Sequence, residues 1–339
     1  MSKKKIIFYS GSRADYGLLE PIARNLSKKI NLSLVIGPHH FAKNFGKSNK
    51  YISKKIFRKV FNCKTKINYK KVDINKFIYR SLPNYQKIIQ VVKPDLVIVL
   101  GDRYEVLSFV LASFFQNIRI CHLHGGEKTI GSFDDTIRHA ITKFSNFHFT
   151  TNYKYKKRIL SMGENRKNIF NFGSIGAENV KKIKYLDKKT IFSIFDIKTN
   201  KDVILTTFHP ETNSNISYKT QINIFLSALK KLKQYYFIFT ASNGDPGGDL
   251  FNSEIKKFVI KNKNSKFLFT LGTKNYLNIM KFSKIVLGNS SSAIIESPSF
   301  SVPVLNVGSR QVGREFSKNI NSCHLNKNSI QRKIKKIAK

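Results

Sequence analysis

Seven times along this chain a short apolar run stops at a polar segment rich in Gly, Ser, His or Asp. Lys5–Ser10 leads to Gly11-Ser12-Arg13-Ala14-Asp15-Tyr16-Gly17. Leu96–Leu100 leads to Gly101-Asp102-Arg103-Tyr104-Glu105, and Ile118–Leu123 to His124-Gly125-Gly126-Glu127-Lys128-Thr129. Further on, Val203–Thr207 precedes Phe208-His209-Pro210-Glu211-Thr212, and Tyr235–Thr240 precedes Ser242-Asn243-Gly244-Asp245. Ile285–Leu287 precedes Gly288-Asn289-Ser290-Ser291-Ser292, and Val302–Asn306 precedes Val307-Gly308-Ser309-Arg310-Gln311. Continuous apolar runs this short, separated by helix-period segments, read as strands of parallel sheets covered on both faces. In such sheets ligands bind beyond the carboxyl ends of the strands. The pattern that dictates an α/β fold therefore also marks the candidate functional residues.

The intervening segments fit. A helix-like run begins at about Gly17, and Asn31–Ile36 is a second strand. Residues 39–75 are basic and poorly periodic and read as including a loop. Asn75–Val92 reads as a helix stopped by Pro94, and Val106–Phe115 as another. In Asp135–Phe144, Ile137, Ala140, Ile141 and Phe144 recur at helical spacing. Asn146–Thr150 is a strand, followed by a basic helix to about Leu160. Residues 173–185 are small and then lysine-rich and read as a linker, after which the alternation resumes and includes a further strand at Lys266–Phe269. The expectation is two doubly wound, Rossmann-like parallel-sheet domains facing a cleft, over residues 1–172 and 186–339.

Composition narrows the function classes. No apolar run has the length of a membrane span, and Ile6–Tyr9 is too short for a secretory core. Cys63, Cys121 and Cys323 are too few and too scattered for a disulfide framework or a zinc site. We expect a cytoplasmic protein without membrane attachment. The formal net charge of +41 would suit a nucleic-acid binder. Yet Lys, Asn, Ile and Phe are inflated together and lysines occur in almost every segment, as drift in an AT-rich genome would produce, so no nucleic-acid partner is expected. The competing non-enzymatic reading predicts salt-sensitive binding of DNA or RNA. The acids are more informative: of 20 in the chain, Asp102, Glu105, Glu127, Asp134 and Asp135 fall between positions 102 and 135.

A Gly/Ser-rich turn opening a helix offers backbone N–H groups and a positive dipole end to an anion, so Gly288–Ser292 is the candidate phosphate site. Serines also cap helices, but three in succession exceed what a cap needs. Glu296 follows in the same helix, where it could hold ribose hydroxyls or simply balance the dipole. No Walker or dinucleotide-binding glycine motif occurs. Asp102, Glu127, Asp134, His124 and His209 form the candidate chemical cluster, since carboxylates and imidazoles in one cleft can be tuned into an acid and a base. Blander roles compete: Asp134 or Asp135 could cap the next helix, Asp102 could serve a turn, and His122 inside a strand reads as a core histidine. His122-x-His124 with Glu127 makes only a weak metal pattern, and no metal is expected.

Taken together, these segments, with Asp134-Asp135-Thr136-Ile137-Arg138-His139-Ala140-Ile141-Thr142-Lys143 and Arg310-Gln311-x-Gly313-Arg314, resemble the hydrolysing UDP-N-acetylglucosamine 2-epimerases of sialic and legionaminic acid synthesis. The likeness runs from about residue 5 to 315. It implies a GT-B fold whose C-terminal domain holds the nucleotide, and conversion of UDP-N-acetylglucosamine and water to N-acetylmannosamine and UDP through a 2-acetamidoglucal. It implies no cofactor and a homo-oligomer, dimer or tetramer. Position by position it places acidic catalytic candidates at Asp102 and Asp134 and a catalytic histidine at His209. It places nucleotide contacts at Arg13, Asn243, Ser290, Ser291, Glu296 and Arg310, with Arg103 beside the diphosphate. Animal and non-hydrolysing relatives carry Glu where this chain has His124, so His124 or Glu127 is expected to take that role. Family members usually continue further past the Arg-Gln-x-Gly-Arg segment, so the expectation is a C-terminal domain truncated at its C-terminus or one whose final helix is dispensable. The same pattern on UDP-N,N'-diacetylbacillosamine is the alternative substrate. A GT-B glycosyltransferase would share the fold but needs no such carboxylate–histidine cluster.

Overall fold

Alternation within each strand sends side chains to both faces of two parallel sheets. The first comprises β1 (Lys5–Ser10), β2 (Asn31–Ile36), β3 (Lys59–Asn62), β4 (Leu96–Leu100), β5 (Arg119–Leu123), β6 (Phe147–Thr150) and β7 (Ile169–Asn171). Its order is β3-β2-β1-β4-β5-β6-β7. Along β1, Ile7 and Tyr9 enter one core with Tyr85, Val97, Val99 and Phe109, while Ile6 and Phe8 enter the other with Leu34, Ile36, Ile98 and Leu100. A fully buried aliphatic or aromatic side chain contributes about 1.5–3 kcal/mol, so strands buried on both faces anchor the strand ends firmly. The covering helices are α1 (Arg13–Leu26), α2 (Ile74–Val92), α3 (Tyr104–Phe114), α4 (Asp134–Phe144) and α5 (Tyr153–Ser161). This computed structural model describes residues 3–42, 47–63, 65, 67, 73–130, 132–242 and 244–339.

The second sheet comprises β8 (Asp202–Thr207), β9 (Tyr235–Thr240), β10 (Ser265–Leu268), β11 (Ile285–Gly288), β12 (Val304–Val307) and β13 (Ile320–Cys323), in the order β10-β9-β8-β11-β12-β13. Its helices are α6 (Ile175–Lys182), α7 (Lys188–Ile194), α8 (Tyr218–Leu229), α9 (Gly248–Lys261), α10 (Gly272–Lys281), α11 (Ser291–Glu296) and α12 (Lys327–Ile337). In each sheet the strand order reverses once, between β1 and β4 and between β8 and β11. Those reversals are where a doubly wound sheet opens a crevice.

The chain divides into two compact units, residues 1–127 with 133–175, and residues 128–132 with 176–339. The short segment Lys128–Ser132 thus belongs to the second unit. There Ile130 N donates to Val312 O at 3.1 Å, and Asn213 Nδ2 donates to Ile130 O at 3.3 Å. Among the described residues no helix is long and apolar enough to cross a membrane.

Four features depart from the sequence reading. Helix α1 starts at Arg13 rather than near Gly17, because Ser12 and Asp15 form a reciprocal capping box. The segment expected as a linker at 173–185 holds α6, whose Val180 is buried in the second unit. Asp134 and Asp135 lie inside α4, whose capping position is Phe133, so neither carboxylate caps it. Strands β3, β7 and β13 had no clear apolar signal. All three are half-exposed edge strands, and β7 is three residues long.

Candidate active site

In the first unit the crevice between β1 and β4 is lined by charge. Arg13 opens α1 half-buried, and burial lowers its pKa. Arg103, just after β4, grips Glu105 with Nε at 3.2 Å and Nη2 at 3.0 Å. His39 also contacts the Glu105 carboxylate. Burial alone would push the Glu105 carboxyl up, but Arg103 and His39 outweigh it and hold it at about 2. Asp15 faces the same arginine, although burial raises its pKa. Arg103 is therefore fixed by an ionised carboxylate before any ligand arrives.

The ends of β4 and β5 and the start of α4 carry the carboxylates and imidazoles expected from the sequence. Arg138 Nη2 donates to Asp102 Oδ2, and Arg138 is almost fully buried. Asp135 lies 3.8 Å from the same guanidinium. Asp134 opens α4 and is buried. His122 is the core histidine its position suggested. Its Nε2 lies 2.7 Å from Gly101 O and its Nδ1 3.1 Å from the Thr142 hydroxyl, and burial pulls its pKa to about 3. It is neutral, and braces the turn that presents Asp102.

His124 differs. Its φ of 64° lies in the left-handed region, which costs a non-glycine residue energy and recurs at functional sites. Its Nδ1 lies 2.9 Å from Glu127 Oε1, and Thr151 Oγ1 approaches the same oxygen at 3.3 Å. Its Nε2 is buried and has no hydrogen-bond partner among the described residues. A carboxylate that holds one ring nitrogen and leaves the other open is the geometry of an oriented acid–base imidazole.

In the second unit His209 follows β8 and is clamped from β11. Asn289 Oδ1 accepts from His209 N at 2.7 Å, and Asn289 Nδ2 donates to His209 O at 2.9 Å. The ring is fixed through Nδ1, 3.1 Å from Ser242 Oγ. Gly288 permits this approach, since its φ is 130° and a Cβ there would come within 1.9 Å of Thr207 O. Ser290 stands at the capping position of α11 without making a side-chain capping bond, and Ser291 is the first helical residue. The six-residue α11 passes straight into a 3-10 turn, so it is shorter than its serines suggested. Glu296 ends it, buried, with Ser292 Oγ donating at 2.5 Å. Burial raises its pKa to about 7 against that hydrogen bond. Arg310 Nη2 lies 3.2 Å from Asp245 Oδ2. Asn243 lies outside the described residues.

With this geometry in view, comparison with known proteins is direct. The family described as UDP-N-acetylglucosamine 2-epimerase matches residues 24–339. The chain belongs to that family. It is similar to the Campylobacter jejuni GDP/UDP-N,N'-diacetylbacillosamine 2-epimerase (hydrolyzing), with 37% identity over 96% of this chain and 86% of that protein. It is also similar to a polysialic acid biosynthesis protein of Escherichia coli, with 35% identity over 98% of this chain and 85% of that one. Its fold matches the crystal structure of UDP-GlcNAc 2-epimerase from Neisseria meningitidis bound to UDP-GlcNAc, with a TM-score of 0.78 and 19% identity over 98% and 91% of the two chains. The fold is of GT-B type, and the expectation of a hydrolysing 2-epimerase agrees with these relatives.

The first unit carries Arg13, Arg103, Asp102, His124, Glu127 and Asp134 at strand ends and helix starts, and the second unit carries His209, Ser290, Ser291, Glu296 and Arg310. Sequence reasoning gave no role to Glu105, His39, Arg138, Asn289 and Ser242. Asn289 and Ser242 were visible as strand-end polar residues, and Arg138 as a charge on the apolar face of α4. Glu105 was visible among the clustered acids, and His39 gave no local signal. Among the described residues no group of three or more His, Cys, Asp or Glu is placed to hold a metal ion.

Proposed function

We propose that the protein is a hydrolysing 2-epimerase of a UDP-2-acetamido sugar. The second unit's Ser290, Ser291, Glu296 and Arg310 hold the UDP, with Arg13 and Arg103 on the diphosphate. Asp102, Glu127, Asp134, His124 and His209 handle the protons. A base removes the proton from C2 as UDP leaves C1, giving the 2-acetamidoglucal and UDP. Water then adds across the double bond, hydroxyl to C1 and a proton to C2 from the opposite face, releasing the free 2-epimeric sugar. The observation that carries this reading is the His124–Glu127 pair. Its buried imidazole is oriented by a carboxylate on Nδ1 and carries an Nε2 without a hydrogen-bond partner.

The substrate we assign is UDP-N-acetylglucosamine, giving N-acetylmannosamine for a sialic acid-type sugar, in a cytoplasmic homo-oligomer without cofactor. The likeness to the Campylobacter jejuni GDP/UDP-N,N'-diacetylbacillosamine 2-epimerase favours a second reading, UDP-N,N'-diacetylbacillosamine. Incubation with each nucleotide sugar, with product analysis for UDP and free sugar, separates the two. Turnover of the first alone supports our assignment, and turnover of the second alone moves it to the alternative. UDP release from neither contradicts the epimerase activity.

A further inference from the structure

Glu211 has no role in the chemistry above, yet its side chain is buried and both carboxylate oxygens are used. Oε1 accepts from the backbone N–H of Ser309 at 2.7 Å and of Arg310 at 3.2 Å, while Oε2 accepts from the Ser309 hydroxyl at 3.0 Å. Its own backbone is anchored as well. Glu211 N donates to Gln221 Oε1 at 2.9 Å and Glu211 O accepts from Gln221 Nε2 at 3.1 Å, and Gln221 is fully buried. Gly308 leaves room for the carboxylate: its φ is 87° and a Cβ there would come within 2.0 Å of Glu211 Oε1.

Successive backbone N–H groups in such a turn form a concavity for an anion. Here the protein supplies the anion itself. The turn after β12 is therefore filled by Glu211, and its N–H groups are already taken by the protein's own carboxylate. The next residue along, Arg310, has its own N–H among the three donors, so the start of its side chain is set by Glu211. Its far end is set by Asp245, 3.2 Å from Nη2. Gln311, fully buried, donates to Asn289 O at 2.8 Å and ties the same turn to the segment that clamps His209.

We infer that Glu211 is a positioning residue, which aims the Arg310 guanidinium at the diphosphate by occupying the β12 turn. This rests on the UDP reading above and assigns a residue to it. Glu211 touches no part of the nucleotide; it acts through Arg310.

The test is a double-mutant cycle on the full chain, with UDP affinity by calorimetry, kcat and KM, and thermal unfolding. E211Q presents an amide N–H toward a backbone or hydroxyl donor and removes the charge. It should weaken UDP binding and raise KM about tenfold, as expected when charge-assisted bonds to a buried carboxylate are lost, while kcat changes less than about threefold. In an R310A background the same change should cost no further UDP affinity. S309A, which removes one hydroxyl and keeps the carboxylate, should give a smaller loss in the same direction, again absent with R310A, and it serves if E211Q does not fold. Equal losses with and without Arg310, or unchanged UDP affinity in folded E211Q and S309A, would overturn the inference. Failure of the unaltered protein to bind UDP would instead sink the proposed function.

Discussion

Asp102 and Arg138 meet in an ion pair that joins the end of β4 to the second turn of α4, with the guanidinium 2% exposed and the carboxylate 22% exposed. A buried arginine that holds a partly exposed carboxylate fixes that carboxylate's direction without burying it. That arrangement suits a proton acceptor whose direction matters more than its burial.

The forked guanidinium should therefore be irreplaceable by a point charge. Arg138→Lys keeps the charge and loses the fork. It should lower kcat at least about tenfold, the scale for misdirecting an acid–base group, while UDP affinity is unchanged. Arg138→Ala should in addition destabilise the fold by about 2–4 kcal/mol, since breaking a buried pair strands its partner. Asp102→Asn should abolish turnover and spare UDP binding. Steady-state kinetics beside UDP calorimetry and urea unfolding check all three. A kcat that survives Arg138→Lys would remove the orienting role.

The left-handed backbone at His124 allows its ring to be tested apart from its fold. Asn tolerates that conformation better than other side chains. His124→Asn should keep stability within about 1 kcal/mol while kcat falls by about 10²–10⁴, the usual worth of a general acid–base group. Circular-dichroism melting and kcat measure the two effects. Full activity in a folded His124→Asn would return the role to Glu127 or Asp102.

With Glu296 in its proposed nucleotide role, stability and UDP binding should both depend on pH near neutrality. Its folded pKa of about 7 lies above the ordinary carboxyl value, because burial penalises the charged form. The folded state thus holds this proton more tightly than the unfolded state. Its contribution to stability is full below the unfolded pKa and is lost as pH rises from 4.5 to about 7. The loss is of the order of 3 kcal/mol. Glu296→Gln should flatten that part of the stability profile and make the protein more stable at pH 8 than the parent. If ribose hydroxyls donate to the ionised carboxylate, UDP affinity should rise as pH passes from 6 to 8, with proton release that Glu296→Gln abolishes. Urea unfolding across pH, and calorimetry in buffers of different ionisation enthalpy, read both effects.

What the sequence made legible follows from burial. Strands β1, β4, β5, β8 and β11 are covered on both faces and stand out as apolar runs, so the polar groups at their ends, Asp102, His124, His209 and Ser290 among them, could be picked out in order. Strands β3 and β13 lie at sheet edges, where half the side chains meet solvent and the run breaks up. The supporting shell was harder to see for a different reason. Glu211 meets Ser309, and Asn289 meets His209, across 98 and 80 residues of sequence, and no local period encodes such a bond. Arg138 and Glu105 sit on helical faces that face the interior, where pattern alone favours an apolar residue.

In the proposed reaction a proton leaves C2 and another returns to the opposite face. The direct measurement is turnover of the nucleotide sugar in D2O, with the released sugar examined by NMR and mass spectrometry. The released sugar should be the free 2-epimer carrying one solvent deuterium at C2 in every molecule, with UDP in equal amount. Released sugar that has kept its original C2 hydrogen, or has kept its configuration, would contradict that reaction.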